Sequence, residues 1–425
     1  MVVTLALVPR RKPVWLAVVL LPLFAANDAP VGDFFGVRAL WQSARDIAAT
    51  RAADRAAAFD RAILASPGNN GLLLSAIGAA LHAHDRARLR TLLARFVAQG
   101  GTLSAKGTTA ITDELGALAG DPLVAALAAN DTPVARGSVA ARLPATIRLV
   151  EGIAHDPRAH ATYVSSVVGR AIYRIDGAGR ARQFRRVPAG LGAPMALAID
   201  PPRKLLWAAL DPGAPGASGK GGVLKLSLDG PGRQLIPGPT GDAISLGDIA
   251  PGPDGGIFAA DSRGGGVYRC RPGCTRLEVV LAPGVLRSPQ GMVASADGRR
   301  LYVADYAYGL AVVDLATGTA RPVRTAPGVA LDGLDGLTAW GGRIVAVQNG
   351  WRPARLIAIT LDPAGTRAVA AGLLARAGPL RDPTQVTIAH GAMLVVANAQ
   401  WDLYEDSKTP ATVRQAPTEL LRIPL

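Results

Sequence analysis

The fold is decided by the stretch Ser288-Pro-Gln-Gly-Met-Val-Ala-Ser-Ala-Asp-Gly-Arg-Arg-Leu-Tyr-Val-Ala-Asp305. It reads as an apolar strand, a tight turn at Asp297-Gly298 and a second strand rich in aromatic and β-branched residues. A related phrase begins six times along the chain, at spacings of 44, 52, 43, 45 and 50 residues. A period of about 40–50 residues with several strands per unit is typical of a β-propeller, so the sequence predicts six blades. The six starts are Glu151, Met195, Gly247, Gln290, Asp335 and Gln385.

Closure of the ring requires one more strand. The last unit ends at Glu419-Leu-Leu-Arg-Ile-Pro-Leu, which lacks a fourth strand. The segment Thr146-Ile-Arg-Leu-Val, just before the first repeat, is predicted to supply it. Pairing the start of the domain with its end would leave no open sheet edge.

The N-terminal part of the chain differs from the repeats. Residues 32–130 are rich in Ala and have helical periodicity, for example at Leu89, Leu93 and Phe96, which lie on one helix face. We interpret residues 32–130 as a small all-α, helical-repeat-like domain and residues 131–143 as a linker. Residues 144–425 then form the propeller. The helical domain is the predicted docking element for a protein partner.

Residues 1–26 have the pattern of an export signal. The basic run Arg10-Arg11-Lys12 precedes an apolar run at residues 14–26, which is short for a membrane span of about 20 residues. Phe24 makes a poor cleavage site after Ala26, so an uncleaved membrane anchor is the alternative. We therefore expect a periplasmic or secreted protein, anchored in the membrane if the signal is retained.

Composition bounds the function classes. The 425 residues are enough for two domains. They are 49% hydrophobic and carry a net charge of +14. The basic residues are scattered and form no recognised module, so we expect no nucleic-acid partner. Cys270 and Cys274 flank a Pro-Gly turn and are predicted to form a hairpin disulfide, since no second pair completes a zinc site.

The repeat also predicts where polar side chains converge. The start of each innermost strand faces the central channel, so Glu151, Gln290 and Asp335 are expected to meet there, with Asp248 one step along its strand. Carboxylate and amide oxygens suit a hard cation such as Ca²⁺, Mg²⁺ or Mn²⁺. A second ring is expected at the ends of the second strands, made of Asp261, Asp305, Asn349 and Asn398.

Two members of this second ring lie near tryptophans. Asn349 and Asn398 belong to Gln348-Asn-Gly-Trp and Asn398-Ala-Gln-Trp, and such amide-plus-aromatic groups would suit a small polar ligand in the channel. We predict that both bind substrate, with plain packing of the tryptophans as the alternative. His155 and His390 are predicted to be hydrogen-bonded structural residues. The sequence contains no hydrolase elbow, phosphate loop or HExxH motif.

Three phrases carry a family resemblance. The runs Glu151-Gly-Ile-Ala-His-Asp, residues 288–305 and Leu334-Asp-Gly-Leu resemble the SMP-30/gluconolactonase-like propellers over residues 144–425, and they are also similar to NHL-type propellers. In the first family a divalent metal is held by a Glu opening the first blade, an Asn before Gly and an Asp before Gly. Glu151 and Asp335 match the first and third ligands, and Gln290 stands in place of the Asn.

The resemblance implies a lactonase that uses a divalent cation, Ca, Mg, Mn or Zn, to hydrolyse a sugar-like or other small lactone. Asp335 would then be both metal ligand and catalytic residue, accepting a proton from the attacking water. Asp248 would position substrate hydroxyls, although Gly247 replaces a family Asn beside it. The departures at Gln290 and Gly247 favour the alternative, a non-catalytic periplasmic NHL-like propeller that binds a ligand or a protein partner.

Overall fold

The computed structural model describes residues 33–116, 120–134, 137–241, 244–404 and 410–425. The predicted export signal at residues 1–26 lies outside the described residues. Within the described ranges, no helix is both long and apolar enough to cross a membrane. These described residues form six α-helices followed by a mainly β region of six sheets, which confirms the predicted fold class.

Each of the six sheets is one blade of the propeller, numbered here from 1 to 6 in chain order of its inner strand. Blade 1 consists of Val150–Asp156, Ala161–Ser166, Ala171–Ile175 and Ala181–Arg186. Blade 2 consists of Ala193–Asp200, Leu205–Asp211, Gly222–Ser227 and Arg233–Ile236. Blade 3 consists of Leu246–Pro251, Ile257–Asp261, Val267–Cys270 and Glu278–Leu281. Blade 4 consists of Pro289–Ala294, Arg300–Asp305, Gly309–Asp314 and Ala320–Pro322.

The last two blades depart from the simple four-strand order. Blade 5 consists of Leu334–Trp340, Arg343–Gln348, Arg355–Leu361 and Arg367–Arg376, with Arg324–Thr325 added in parallel at its outer edge. Blade 6 consists of Val386–Ala389, Ala392–Val396, Glu419–Pro424 and Ser138–Arg142.

The ring closes by pairing the start of the region with its end, as predicted, but through a different strand. Ser138–Arg142 pairs with Glu419–Pro424, in place of the expected segment Thr146–Val150. The expected segment leads into the inner strand of blade 1, which begins at Val150 beside the axis. It therefore cannot also lie at the outer edge of blade 6. Part of the segment 131–143, interpreted as a linker, is a strand of the propeller.

Burial of both sheet faces explains the apolar second strands. Every residue of Ile257–Asp261 and of Ala392–Val396 is buried, because neighbouring blades cover both faces of each sheet. Between blades 3 and 4, for example, Phe258 and Leu301 belong to one core cluster. Each such side chain contributes about 1.5–3 kcal/mol by burial, so stacking against neighbours holds the ring together.

The helical segment consists of α1 (Arg38–Asp46), α2 (Ala52–Ala65), α3 (Asn70–His82), α4 (Arg86–Ala98), α5 (Ala105–Leu115) and α6 (Pro122–Asp131). Side-chain N-caps begin α3 and α4, where Asn69 and Asp85 accept hydrogen bonds from backbone N–H groups of the first turn. The predicted stripe of Leu89, Leu93 and Phe96 is buried in the helical core, as expected.

The helical segment packs on blades 4 and 5. The Asp332 carboxylate accepts hydrogen bonds from the backbone N–H of Asn70 at 2.8 Å and of Gly71 at 3.3 Å, which are the first residues of α3. It also accepts one from Trp351 Nε1 at 3.3 Å. A carboxylate at a helix N-terminus satisfies free N–H groups and complements the helix dipole. Phe96 of α4 adds an aromatic contact to Trp351, with ring planes 9° apart.

Candidate functional site

The residues at the repeat starts lie in irregularities of the inner strands. In five blades the strand register shifts at this point, so that Glu151, Met195, Gly247, Gln290 and Asp335 fall within β-bulges. A bulge re-aims its side chains relative to the regular pleat. The sixth start, Gln385, directly precedes the strand Val386–Ala389.

Glycine follows the axial residue because neighbouring inner strands approach closely there. A Cβ atom at Gly291 would lie 2.2 Å from the carbonyl oxygen of Asp335, and one at Gly336 would lie 2.5 Å from Gln385 Oε1. Only glycine fits at such distances. The recurring x-Gly dipeptide therefore brings the axial residues of adjacent blades against one another.

Glu151 and Asp335 are the two central carboxylates of the site. They are 7% and 8% exposed. Glu151 Oε2 accepts a hydrogen bond from Trp401 Nε1 at 2.6 Å, and Asp335 Oδ2 accepts one from Asn349 Nδ2 at 2.7 Å. In the described part of the chain, no hydrogen-bond donor is found for Glu151 Oε1 or Asp335 Oδ1. Each carboxylate thus keeps one oxygen available to a ligand.

Four acids form what we call the axial cluster: Glu151, Asp248, Asp335 and Asp382. Burial raises the pKa of Glu151 well above its usual range, and the charge of Asp335 raises it further. Burial and the charge of Asp248 do the same to the pKa of Asp335, and burial raises the pKa of Asp248 to about 7. Among the described residues no Lys or Arg forms an ion pair with these acids. The negative charge that these acids would carry when ionised therefore has no basic partner, and the raised pKa values favour their protonated forms.

Asp248 is enclosed by hydrogen bonds from the protein. Its Oδ1 accepts from the backbone N–H of Ile249 at 2.5 Å, and its Oδ2 accepts from Gln385 Nε2. Both carboxylate oxygens are thus engaged, and the side chain is buried. Contact between Asp248 and substrate hydroxyls stays a prediction.

Gln290 faces blade 3. Its Nε2 donates to Ser288 Oγ at 3.2 Å, and its Oε1 accepts from Ser262 Oγ at 3.4 Å. A Cβ atom at Gly247 would lie only 1.9 Å from Ser262 Oγ, so Ser262 occupies the space that any side chain at position 247 would need. Within the described residues, Gln290 makes no hydrogen bond to Glu151 or Asp335. Its role as a metal ligand stays a prediction.

The predicted second ring divides into two kinds of residue. Asp261 and Asp305 accept hydrogen bonds from nearby backbone N–H groups, at 2.7 Å from Gly264 and 2.6 Å from Arg287. Asn398 likewise bonds backbone groups, donating to the carbonyl oxygen of Pro417 at 3.1 Å and accepting from the N–H of Glu419 at 2.7 Å. These contacts hold the chain locally, and a substrate contact of Asn398 stays a prediction.

Asn349 is the member of that ring that reaches the axial cluster. Its Nδ2 donates both to Asp335 Oδ2 and, at 2.8 Å, to the carbonyl oxygen of Pro383. Its Oδ1 is a buried atom with no hydrogen-bond partner. A buried acceptor without a hydrogen-bond partner costs folding free energy, so Asn349 Oδ1 is a candidate contact for a cation or a hydroxyl group.

The contacts that Trp401 and Asp382 make in the site were not predicted from the sequence. Trp401, for which ligand contact and plain packing were the two interpretations, donates to Glu151, and its backbone N–H donates to Asp382 Oδ2 at 2.7 Å. Asp382 adds negative charge that raises the pKa of both Glu151 and Asp335. The signal that could have revealed Asp382 is its position three residues before the sixth repeat start at Gln385.

The donor set fits an oxygen-loving cation. Among the described residues, no three His, Cys, Asp or Glu groups are arranged to hold a metal ion. A cation at the axis would thus rely on the free oxygens of Glu151 and Asp335 together with a nearby amide oxygen, for which Gln290 Oε1 and Asn349 Oδ1 are the candidates. An all-oxygen set favours Ca²⁺, Mg²⁺ or Mn²⁺ over Zn²⁺.

The two cysteines lie away from this site, in the outer half of blade 3. Cys270 and Cys274 are joined in a disulfide, with Cα atoms 5.6 Å apart. The bridge spans the turn after the third strand of that blade, as the Pro-Gly spacing predicts.

Solved structures similar to this chain include several propellers. One is a calcium-binding protein, regucalcin, from Agrobacterium tumefaciens, at 18% identity and a TM-score of 0.48, covering 67% of this chain and 95% of that one. A gluconolactonase from Xanthomonas campestris shows 17% identity, a TM-score of 0.46 and coverage of 69% and 95%. A PQQ-bound aldose sugar dehydrogenase from Streptomyces coelicolor shows 18% identity, a TM-score of 0.45 and coverage of 69% and 100%.

These neighbours include proteins of different activity at similar scores. No protein-family model matches the sequence, and no curated protein matches it. The fold is established by the strand pairing itself. Function has to be argued from the side chains at the axis, because a shared fold does not fix a shared activity.

Proposed function

We propose that the chain is a divalent-cation-dependent hydrolase that opens a sugar-like or other small lactone at the axis of its propeller. The observation that carries the proposal is the buried pair Glu151 and Asp335, whose pKa values burial and neighbouring acids raise. In the part of the chain that the structure describes, no basic residue pairs with them. Buried charge is costly unless it is paired or protonated. A divalent cation would supply the missing positive charge.

The predicted roles of the residues follow from their free atoms. Glu151 and Asp335 would hold the cation through carboxylate oxygens, joined by the amide oxygen of Gln290 once that side chain turns from Ser262. The chemistry that a bound cation supplies at such a site is polarisation of the lactone carbonyl and stabilisation of the developing negative charge. Asp335 would accept a proton from the attacking water. The unpartnered Asn349 Oδ1 would accept a hydrogen bond from a substrate hydroxyl.

We further propose that the protein works in the periplasm or is secreted. The disulfide between Cys270 and Cys274 supports an oxidising compartment, where such bonds persist. The export pattern at residues 1–26 supports the same location, with a retained membrane anchor as the alternative.

The test is cation content and lactone hydrolysis of the purified protein beside Asp335→Asn and Asp261→Asn. Asp261 is the matched control, because Asn keeps the Oδ1 that accepts from Gly264 and Arg263. We expect one Ca²⁺, Mg²⁺ or Mn²⁺ ion and turnover in the wild type and the control. Asp335→Asn should lose the ion and at least about 100-fold in turnover. A wild-type protein with neither ion nor turnover on a broad lactone panel would contradict the proposal.

A second candidate is a non-catalytic propeller that binds a small ligand at the axis or a protein through the helical segment. The observation favouring it is Ser262, whose Oγ fills the space where the resembling family carries a substrate-holding side chain at position 247. Tight cation binding without hydrolysis of any lactone would favour this candidate over the enzyme.

A further inference from the structure

Three of the chain's five histidines meet at the seam between blades 1 and 6. His155 lies on the inner strand of blade 1, His160 in the turn after it, and His390 between the first two strands of blade 6. The ring centroids of His155 and His390 are 4.6 Å apart, and those of His160 and His390 are 5.5 Å apart. The sequence predicted His155 and His390 as separate structural residues and gave no sign that they meet.

This histidine group is separate from the axial cluster. His155 follows Glu151 by four positions on one extended strand, which places it about 13 Å further along the blade. The two groups also differ in chemistry, since one offers carboxylate and amide oxygens and the other imidazole nitrogens. They would therefore select different ions.

The two exposed histidines have left-handed backbone conformations. His160 and His390 have φ angles of 46° and 48°, in the left-handed region. His390 and Gly391 form the two-residue turn between paired Ala389 and Ala392, with both φ angles positive. Asn-Gly is the preferred sequence for such a turn, and His is also among the residue types enriched in the left-handed region. The turn therefore holds the imidazole of His390 at an exposed position without strain particular to this site.

The histidine group has the features needed for ligation. Imidazole is the commonest protein ligand for Zn²⁺ and also suits Cu²⁺ and Ni²⁺, provided that it is neutral. Burial, and then the neighbouring His390, lower the pKa of His155, which favours its neutral form. His155 Nδ1 lies 3.2 Å from Thr162 Oγ1, a contact that leaves Nε2 free and fixes the ring.

We propose that His155, His160 and His390 bind one divalent transition-metal ion, of the class of Zn²⁺, Cu²⁺ or Ni²⁺, across the seam between the first and last blades. Within the described residues the three rings are not yet arranged around an ion, so binding requires the exposed rings of His160 and His390 to rotate. Exposed side chains change rotamer within nanoseconds, so this is no barrier. Three imidazoles leave the fourth position of a tetrahedral ion to water.

The test is calorimetric titration of the untagged protein with Zn²⁺ in excess Mg²⁺, beside His160→Asn/His390→Asn and His84→Asn. Asn tolerates the left-handed backbone, so the turns of the double variant should survive. His84 is the matched control, because it has a φ angle of 54° and lies in the helical segment. We expect one tight Zn²⁺ equivalent in the wild type, the control and Asp335→Asn. The double variant should bind at least about 10-fold more weakly.

Thermal melting provides the second readout. Zn²⁺ should raise the Tm of the wild type by binding the folded state, and it should not raise the Tm of the double variant. Equal Zn²⁺ affinity in the double variant and the wild type would overturn the proposal. Loss of the tight Zn²⁺ site in Asp335→Asn, with the site retained in the double variant, would also overturn it by assigning the ion to the axis.

Discussion

Asp332 and Asp335 are three residues apart and almost equally buried, at 6% and 8% exposure, yet they differ in what surrounds them. Asp332 accepts three N–H donors, two from the start of α3 and one from Trp351. Asp335 accepts one amide donor and faces other acids. Burial raises the pKa of Asp332 to about 6, whereas for Asp335 the charge of Asp248 adds to the effect of burial.

The neighbours of a buried carboxylate distinguish a structural role from a functional one. A carboxylate whose oxygens are met by donors holds two parts of the fold together. A carboxylate among like charges destabilises the fold by itself and is more often found at functional sites. Burial alone does not distinguish the two cases, and the identity of the neighbours does.

The largest expected effect comes from removing each carboxylate in turn. Asp332→Ala should lower the free energy of unfolding by about 3 kcal/mol, because it strands the N–H groups of Asn70 and Gly71 and the indole of Trp351. Asp335→Ala, in chelator, should change it by less than about 1 kcal/mol, since one of several like charges disappears. Urea unfolding at pH 8 measures both. Equal losses in the two variants would show that the comparison is wrong.

The next-largest expected effect is the change of thermal stability with pH. Acids whose pKa is raised by folding bind more protons in the folded state, so the stability that they contribute is full below about pH 4 and is lost as the pH rises through their raised pKa values. In chelator we expect the Tm to fall by several degrees between pH 5 and pH 8. Asp248, with a pKa of about 7, loses its proton within this pH range. Ca²⁺ or Mn²⁺ should restore the Tm at pH 8 and have little effect at pH 5.

A control separates the axis from the helical interface in this experiment. Asp332 also has a raised pKa and contributes to the pH dependence of any variant that keeps it. Only the response to the cation should therefore disappear in Asp335→Asn. A wild-type Tm that rises from pH 5 to pH 8, or a cation response that survives in Asp335→Asn, would contradict the assignment of these charges to a cation site.

Much of the fold could be predicted because it is encoded by local, repeated signals. The interval between repeat starts and the turn residues between strands predict six blades without any long-range information. The closing strand was assigned to the wrong segment, because residues 138–142 and 146–150 are both short and extended in character. Only the three-dimensional position of Val150 at the axis shows which of them is free to reach Glu419–Pro424.

The sequence predicts where the residues of the candidate site lie along the backbone. It does not predict which partners their side chains bond. The repeat register predicts that Glu151 and Asp335 begin inner strands, and the structure places both among the axial acids. Asn349 and Asn398 end equivalent strands, yet one reaches Asp335 and the other bonds its own blade. Such differences depend on rotamers and on neighbours distant in sequence, which alignment of the repeats does not contain.

The smallest expected effects come from the two tryptophans that donate to these carboxylates. Replacing either one removes the same kind of hydrogen bond, so the two variants form a matched pair. Trp351 Nε1 donates to Asp332 and Trp401 Nε1 donates to Glu151, so Trp351→Phe and Trp401→Phe each remove one N–H from a buried carboxylate. Trp351→Phe should cost about 1 kcal/mol of stability and leave cation affinity unchanged.

Trp401→Phe should act on cation affinity, because the Trp401 hydrogen bond lowers the pKa of Glu151. Without it Glu151 holds its proton more tightly, and a cation must displace that proton. A hydrogen bond worth about 1 kcal/mol corresponds to roughly a fivefold loss of affinity at pH 6, shrinking toward pH 8 as the proton leaves on its own. Titration calorimetry with Ca²⁺ or Mn²⁺ at both pH values measures this. A loss of cation affinity in Trp351→Phe, or none in Trp401→Phe, would mean that the two carboxylates are not of different kinds.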